Sequence, residues 1–340
     1  MIEKVDIAIV GVTTSVGETL IDVLQERKFP VGKVYLLDSD GTSGSRIDFN
    51  GQTLKIGDVS TFDFSTVVMA FFVSSEEVSR AFAEKAAATG CIVIDRSPAF
   101  RNDKDVPLVI AGVNDAVIEN FTNRNIISTP GCTSIEMLMA LKPIHDAVGI
   151  KRINVSTYQA VSGSGKDAAE ELASQTAALL NFRDMKCKTY PKQIAFNVLP
   201  QIGEYLDNGY TSEEMKIVWE TQKVLNDDSI AVNSTAVRVP VFIGHAASVH
   251  VETNAAISVT KAQQLLQQTD GIELLNERQA GSWPTPVTEA AGNDSVYVGR
   301  LREDISSKNG INLWVVTDNL RKGAATNAVQ IAEILVKLYI

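Results

Sequence analysis

Short apolar runs that alternate with helical stretches constrain this chain more than any other feature. The first run, VDIAIVG at residues 5–11, ends in glycine and leads into VGETLIDVLQERKF, where Val16, Leu20, Val23 and Leu24 recur at helical spacing. KVYLLDSD, STVVMAFFV, CIVID and NIIST repeat the theme. Strands that are apolar along their whole length are buried on both faces, so strands of this kind separated by helices make a parallel sheet covered on both sides. The first 130 residues or so are therefore expected to form a doubly wound α/β domain.

After Cys132 the runs lengthen and alternate with polar residues, as in RINVSTYQAVSGSG, STAVRVPVFIGHAASVHVETNAAIS and INLWVVTDN. Alternation suits a sheet with one solvated or partner-facing side, which predicts a second, α+β domain. The last segment, AATNAVQIAEILVKLY, has the spacing of an amphipathic helix. The expected division is 1–131 with 324–340 as one domain and 132–323 as the other; a chain of 340 residues is long enough for both.

Composition excludes several functions. Lys and Arg total 31 against 41 Asp and Glu, and a net charge of -10 argues against a broad electrostatic grip on nucleic acid or anionic membrane. The start, MIEKVDIAIVG, lacks the basic region and long apolar core of a signal peptide, and no apolar run is long enough to span a bilayer. Three cysteines without C-x-x-C spacing fit a reducing cytoplasm, and with only three histidines a zinc cluster is not expected.

Gly11 to Gly17, GVTTSVG, lies where the first strand meets the first helix, the place where backbone N–H groups and a helix N-terminus hold a pyrophosphate. The segment is thus a candidate Rossmann-like dinucleotide loop, through Gly11, Thr13, Thr14, Ser15, Val16 and Gly17. Thr14 occupies the middle position where the usual fingerprint has glycine, and its hydroxyl either donates to phosphate or blocks the site. Asp38, about 20 residues after Gly17, is placed to accept from a ribose diol and to repel a 2′-phosphate. Asp38 and Asp40, with no Arg until Arg46, favour NAD over NADP. A plain strand–turn–helix connection and a polar turn at DSDG account for the same residues.

Cys132 follows NIISTPG and opens a run in which Ile135, Leu138, Met139 and Ile144 mark one helical face. A thiol at a helix N-terminus has its reactive thiolate favoured by the dipole, yet cysteine is also a common buried hydrophobe. Cys91 fits the inert reading and Cys187 a loop thiol. A cysteine nucleophile needs a proton-transfer partner. His145 lies more than three turns along the helix that Cys132 begins, out of reach. His245 and His250 both fall near the end of the strand region RVPVFIGHAASVHVE, and His245 is preferred because Gly244 lets the chain bend.

RVPVFIGH, STYQAVSGSGK, SEEMKIVWETQKV, DVPLVIAGVN and DNLRKGAATNAVQIAE, in this spacing around a Pro-Gly-Cys, resemble the aspartate-semialdehyde dehydrogenase family from Ile7 to the C-terminus. The resemblance implies a Rossmann-like dinucleotide-binding domain plus a catalytic/dimerisation domain. It also implies a homodimer that converts L-aspartate 4-semialdehyde, phosphate and NADP to 4-phosphoaspartate and NADPH, a step toward lysine, methionine and threonine. By similarity Cys132 attacks the aldehyde, His245 shuttles the proton and Gln159 orients the acyl intermediate. Arg238 would clamp the substrate carboxylate, Glu213 the ammonium, and Lys216 and Arg101 would cradle phosphate; Asn327 would join the loop residues and Asp38 at the cofactor.

Several positions depart from the family's pattern. Besides Thr14, the segment Val73, Ser74, Ser75, Glu76 stands where the family has Ser-Ala-Gly-Gly, and Gly41 where it usually offers Arg to a 2′-phosphate. Gly131 replaces an Asn that helps bind phosphate, Arg96 an Asn-like position, and Ala111 with Gly112 a Pro-Glu pair. The pattern is partly like that of the divergent USG-type members. Three functions remain compatible with it: a working dehydrogenase with NAD favoured, a catalytically impaired paralogue acting as a binding or interaction protein, and a thiol hydrolase or acyltransferase built on Cys132 and His245.

Overall fold

The opening apolar run is a buried strand, β1 (Val5–Val10), and it sits in the middle of a parallel sheet. The computed structural model describes residues 4–39 and 44–340. They fall into two compact units, the residues up to Gly131 with Ala324–Ile340, and Cys132–Gly323. Each is organised around its own sheet.

In the first unit α1 (Ser15–Glu26), β2 (Val31–Asp38), the hairpin β3 (Arg46–Phe49) and β4 (Gln52–Lys55), and the short β5 (Gly57–Asp58) follow β1. Then come β6 (Met69–Phe72), α2 (Glu76–Ala88), β7 (Ile92–Asp95) and β8 (Ile126–Ser128). The sheet order is β5-β2-β1-β6-β7-β8, every pair parallel, as continuous apolar strands require. Because the chain leaves β1 for β2 on one side and returns to β6 on the other, the order reverses beside β1, and a crevice opens there at the strands' carboxyl ends. Gly11 lies at that point. The hairpin turns through Asn50 and Gly51, both at positive φ (49° and 76°), which Asn-Gly accepts readily.

The second unit begins with α3 (Cys132–Val148), followed by β9 (Ile150–Gln159), α4 (Lys166–Leu180), α5 (Ser212–Leu225), β10 (Ala231–Arg238) and β11 (His245–Thr253). It continues with α6 (Val259–Gln267), β12 (Ile272–Leu275), β13 (Val296–Glu303) and β14 (Gly310–Thr317). The chain then returns to the first unit as α7 (Thr326–Leu338), which packs against α1 and β7. The second sheet is mixed, in the order β10-β9-β11-β14-β13-β12. Its inner face is apolar, with Ile153, Val155, Val249, Val251, Leu313 and Val315 buried. α3 packs on this sheet and touches both α5 and α6, so the three helices form one layer. Asn154, Tyr158, His250 and Trp314 alternate onto the other face.

One expectation needs correction. The region RVPVFIGHAASVHVE is not a single strand with His245 near its end; it breaks over residues 239–244, and His245 is the first residue of β11. Pro240 has no N–H for a ladder. Gly244 sits at φ +94°, where a Cβ would meet the Pro286 carbonyl oxygen at 2.7 Å, so only glycine fits this bend.

Candidate active site

The register of the second sheet brings the candidate residues together. Gln159 ends β9 and Arg238 ends β10, and the parallel ladder sets them side by side. His245 opens β11 opposite Thr317, the last residue of β14. Since Tyr158 pairs with Ala246, His245 falls beside Gln159. Residues in register point to the same face. One end of the sheet thus carries Arg238, Gln159, His245 and Thr317 in a row, all of them buried.

Ala160 ties two of these side chains to one backbone unit. Its carbonyl accepts from Arg238 Nη1 at 2.7 Å, and its N–H donates to His245 Nδ1 at 3.1 Å. A neutral imidazole that accepts at Nδ1 carries its proton on Nε2. At Gly163 a Cβ would come 3.1 Å from Arg238 Nη1 and 3.3 Å from His245 Nε2, so both polar tips converge where there is no side chain. Beside them Gln159 Nε2 donates to Glu213 Oε1 at 3.2 Å, and Lys216 Nζ stands 3.8 Å from Glu213 Oε2. Glu213 and Lys216 share the first turns of α5, which Thr211 and Glu214 close with a reciprocal capping box. The pair is therefore more than a solvated surface pair, because Glu213 is bonded to the buried Gln159.

Cys132 begins α3 and is half-buried. A Cβ on Gly323 would lie 2.8 Å from its Cβ, and the Gly323 N–H donates to the Asp318 carbonyl just past Thr317. The thiol is thereby placed at the same end of the sheet as the row. Cys91 is inert, as expected: burial alone pushes its thiol up to about 12. Cys187 is exposed.

One turn beyond Cys132, Glu136 is wholly buried, and neither of its oxygens has a hydrogen-bond partner. Burial pushes its carboxyl well above the ordinary carboxylate range. The folded protein therefore keeps this proton while the unfolded chain releases it near pH 4.5, so stability falls as pH rises from there through the folded value. Glu136→Gln, which cannot ionise, is expected to raise the thermal midpoint, by more at about pH 8 than at about pH 6. Thermal unfolding of both proteins at the two pH values checks this; an equal or falling midpoint at the higher pH contradicts it.

In the first unit Arg101 is buried, and its Nη2 donates to the Arg96 carbonyl at 2.5 Å. Asp95 nearby accepts from Ser79 and Ser97; burial pushes its carboxyl up, while those bonds and the Arg101 charge pull it down. At the glycine loop Gly11 sits at φ +91°, and a Cβ there would be 2.7 Å from Ser74 Cβ. A Cβ on Gly17 would be 2.3 Å from the Gly11 carbonyl oxygen. Thr13 donates both its N–H and its hydroxyl to Asp38 Oδ2, at 3.1 and 2.5 Å. Thr14 neither blocks the turn nor reaches outward. Its hydroxyl caps α1 by accepting the Gly17 N–H at 3.0 Å, and it donates back to the Gly11 and Val73 carbonyls. Ser15, Val16 and Gly17 form the first turn of α1, where N–H groups lack intrahelical acceptors and the dipole favours an anion. Glu76 in the first turn of α2 is paired with Arg80 at 2.7 Å. Asn327 is buried with its amide engaged, accepting from the Ala111 N–H and donating to the Val109 carbonyl. Gly41 and Asp40 lie outside the described residues.

Sequence reasoning missed Gly163, Gly323, Glu136 and Asn319. The first two have no side chain to signal a role, and Glu136 breaks an apolar helix face without announcing why. Asn319 lies within a quoted block, DNLRKGAATNAVQIAE, but only the fold gives it partners.

Comparisons with known proteins bear on this arrangement. Residues 6–121 match the profile of a semialdehyde dehydrogenase, NAD binding domain, and residues 141–322 that of a semialdehyde dehydrogenase, dimerisation domain. The chain is 55% identical over 339 residues to aspartate-semialdehyde dehydrogenase 2 of Vibrio cholerae, covering 100% of both chains. It is 53% identical over 339 residues to the aspartate-semialdehyde dehydrogenase of Shewanella violacea, again covering 100% of both. A crystal structure of the Vibrio cholerae aspartate semialdehyde dehydrogenase II complexed with ASA superposes with a TM-score of 0.97, over 99% of this chain and 100% of that one. Full-length identity of this degree, with both halves matched in order, establishes that the chain belongs to the aspartate-semialdehyde dehydrogenase family.

Proposed function

We propose that the chain is a nicotinamide-dependent oxidoreductase that converts L-aspartate 4-semialdehyde to 4-phosphoaspartate, with phosphate as co-substrate, in the synthesis of lysine, methionine and threonine. The observation that carries the reading is the Ala160 unit, which holds a guanidinium and an imidazole whose polar tips converge beside Gly163. A guanidinium suits a carboxylate through parallel hydrogen bonds, and an imidazole with its proton on Nε2 suits proton exchange with a reacting oxygen.

In this reading Arg238 binds the substrate carboxylate and Glu213 its ammonium, while Gln159 aligns the carbonyl. The Cys132 thiolate adds to the aldehyde carbon to give a thiohemiacetal. His245 gives its Nε2 proton to the oxygen as the thiolate adds, and takes that proton back at Nε2 as the C–H hydride departs, leaving a thioester. A phosphate oxygen, held by Lys216, then attacks the thioester and expels the thiolate, which restores Cys132. A bound nicotinamide dinucleotide supplies the hydride acceptor.

The residues present fit that cofactor. Gly11 and Gly17 keep the turn free of side chains, Thr14 is folded inward as a cap, and the first turn of α1 is of a kind that receives a pyrophosphate. Glu76, the carboxylate that stands where the family has glycine, is neutralised by Arg80. The Asp38 carboxyl group stands at the end of β2, braced by Thr13 and by the Ser39 N–H. Such a carboxylate favours a ribose diol over a 2′-phosphate, so the cofactor read here is NAD rather than NADP. Asn327 acts by holding the 109–111 segment.

The enzyme is read as a homodimer in which the outer face of the second sheet, with Tyr158, His250 and Trp314, meets a second copy. No described helix is long and apolar enough to cross a membrane. Cys91, Cys132 and Cys187 are all thiols, in keeping with a cytoplasmic location.

The test is a paired assay of phosphate-dependent NAD and NADP reduction with aspartate semialdehyde. Turnover is expected, with kcat/KM for NAD at least equal to that for NADP. No turnover with either cofactor in folded protein would overturn the function, and a clear NADP preference would overturn the role given to Asp38.

A further inference from the structure

Asn319 is buried just past the end of β14, and its amide joins two loops. Its Oδ1 accepts the Gly244 N–H at 2.9 Å and lies 3.1 Å from Ser162 Oγ, while its Nδ2 lies 3.0 Å from the same hydroxyl. Gly244 immediately precedes His245. Ser162 sits in the turn Val161–Ser164 that follows Gln159 and Ala160 and contains Gly163. The same two loops meet through the backbone as well, where the Val161 and Ser162 N–H groups donate to the Val241 and Phe242 carbonyls at 2.9 and 3.2 Å. Asn319 is itself well anchored, because the neighbouring Asp318 accepts from the N–H groups of Leu320, Arg321 and Gly292.

The consequence falls on one hydrogen bond. His245 rides on the Gly244 loop, whereas its acceptor contact, the Ala160 N–H, belongs to the Ser162 loop. If the loops separate, the ring loses the donor that turns Nε2 toward Gly163 and Arg238. Arg238 depends less on this clamp, since it comes from β10 and reaches the Ala160 carbonyl independently.

We propose that Asn319 is a positioning residue for proton transfer at His245, clamping the Gly244 and Ser162 loops together so that the imidazole keeps its place against Ala160. The proposal rests on the reading that His245 moves a proton during turnover. A displacement of about 1 Å at a reacting group costs about 100-fold in rate.

The experiment compares wild type, Asn319→Ala, Ser162→Ala and the double variant for kcat, KM for the aldehyde, the solvent deuterium isotope effect on kcat, and thermal midpoint. Asn319→Ala is expected to lower kcat about 10–100-fold and to leave KM within about threefold. It should also increase the solvent isotope effect, because a misplaced imidazole makes proton transfer slower than the other steps. Ser162→Ala should cost less, since the Gly244 bond remains, and the double variant should lose no more than Asn319→Ala alone, as members of one clamp do. Active wild type with Asn319→Ala unchanged in kcat, an unaltered isotope effect, or additive losses in the double variant would each overturn the proposal alone. An inactive wild type would overturn the functional reading beneath it.

Discussion

Cys132→Ser is expected to lower kcat/KM for phosphate-dependent aldehyde oxidation by about 10⁴-fold while leaving the fold intact. The substitution exchanges sulfur for a smaller oxygen at the first residue of α3, so no steric cost arises against Gly323. What changes is the nucleophile. A thiol at a helix N-terminus is readily converted to thiolate, whereas a serine hydroxyl stays protonated and must lose its proton during attack. A loss of this size is about 5.4 kcal/mol of transition-state stabilisation, which agrees with removing a covalent step rather than a binding contact. The other thiols offer no substitute: Cys91 is held protonated by burial, and Cys187 lies in an exposed loop. Steady-state rates and thermal unfolding of both proteins measure the effect. Activity within about tenfold of wild type in the serine variant would assign the chemistry to another group.

The first domain was legible because its strands are apolar on both faces, a pattern that only a covered parallel sheet satisfies. The glycine loop was legible in position but not in detail. Thr14 read as an intruder at the phosphate, and the structure folds its hydroxyl into the N-cap of α1, a local choice among acceptors that spacing does not encode. Asp38 read as a ribose ligand, and its brace to Thr13 spans 25 residues and becomes visible only in three dimensions. The Asn-Gly turn of the β3–β4 hairpin was, by contrast, written plainly at Asn50 and Gly51 and was passed over.

In the second domain the quoted segment SEEMKIVWETQKV falls on α5, whose periodicity and Thr211–Glu214 capping box mark it. The sheet was harder. Alternation told that one face is polar, but β12 and β13 are short or interrupted and left no clear run. His245 was singled out for following Gly244, and the bend there does need that glycine, which sits at φ +94° with no room for a Cβ beside Pro286. The residue roles came from resemblance, and what the fold adds is the reason they can act together: Arg238, Gln159 and His245 end or begin three adjacent strands at one edge. Ala160, whose backbone joins two of them, has a side chain that says nothing. Sites built from peptide groups leave little trace in a sequence.

Gly323→Ala is expected to lower kcat/KM by about 100-fold without removing any group that touches substrate. Gly323 does not lie at positive φ, so alanine can adopt its backbone, and the cost is one of space. The new methyl would be placed 2.8 Å from Cys132 Cβ and 3.4 Å from both Cys132 Cα and the Asp318 carbonyl oxygen. Something must yield. α3 is poorly able to do so, because Ile135, Leu138, Leu141 and Ile144 are fully buried and fix its length against the sheet. Asp318 is held by three backbone N–H groups, which leaves the first residue of α3 as the softest neighbour. Displacing Cys132 moves the thiolate relative to His245, Gln159 and Arg238, which stay on the sheet. A nucleophile misplaced by about 1 Å loses about 100-fold, whereas overpacking of this kind costs about 1–3 kcal/mol of stability. The expected signature is thus a folded protein with a moderately lower thermal midpoint, a kcat that has fallen, and a changed rate of Cys132 alkylation by iodoacetamide. Activity within about threefold of wild type would mean that the contact relaxes on the Gly323 side and that Cys132 is not held from there.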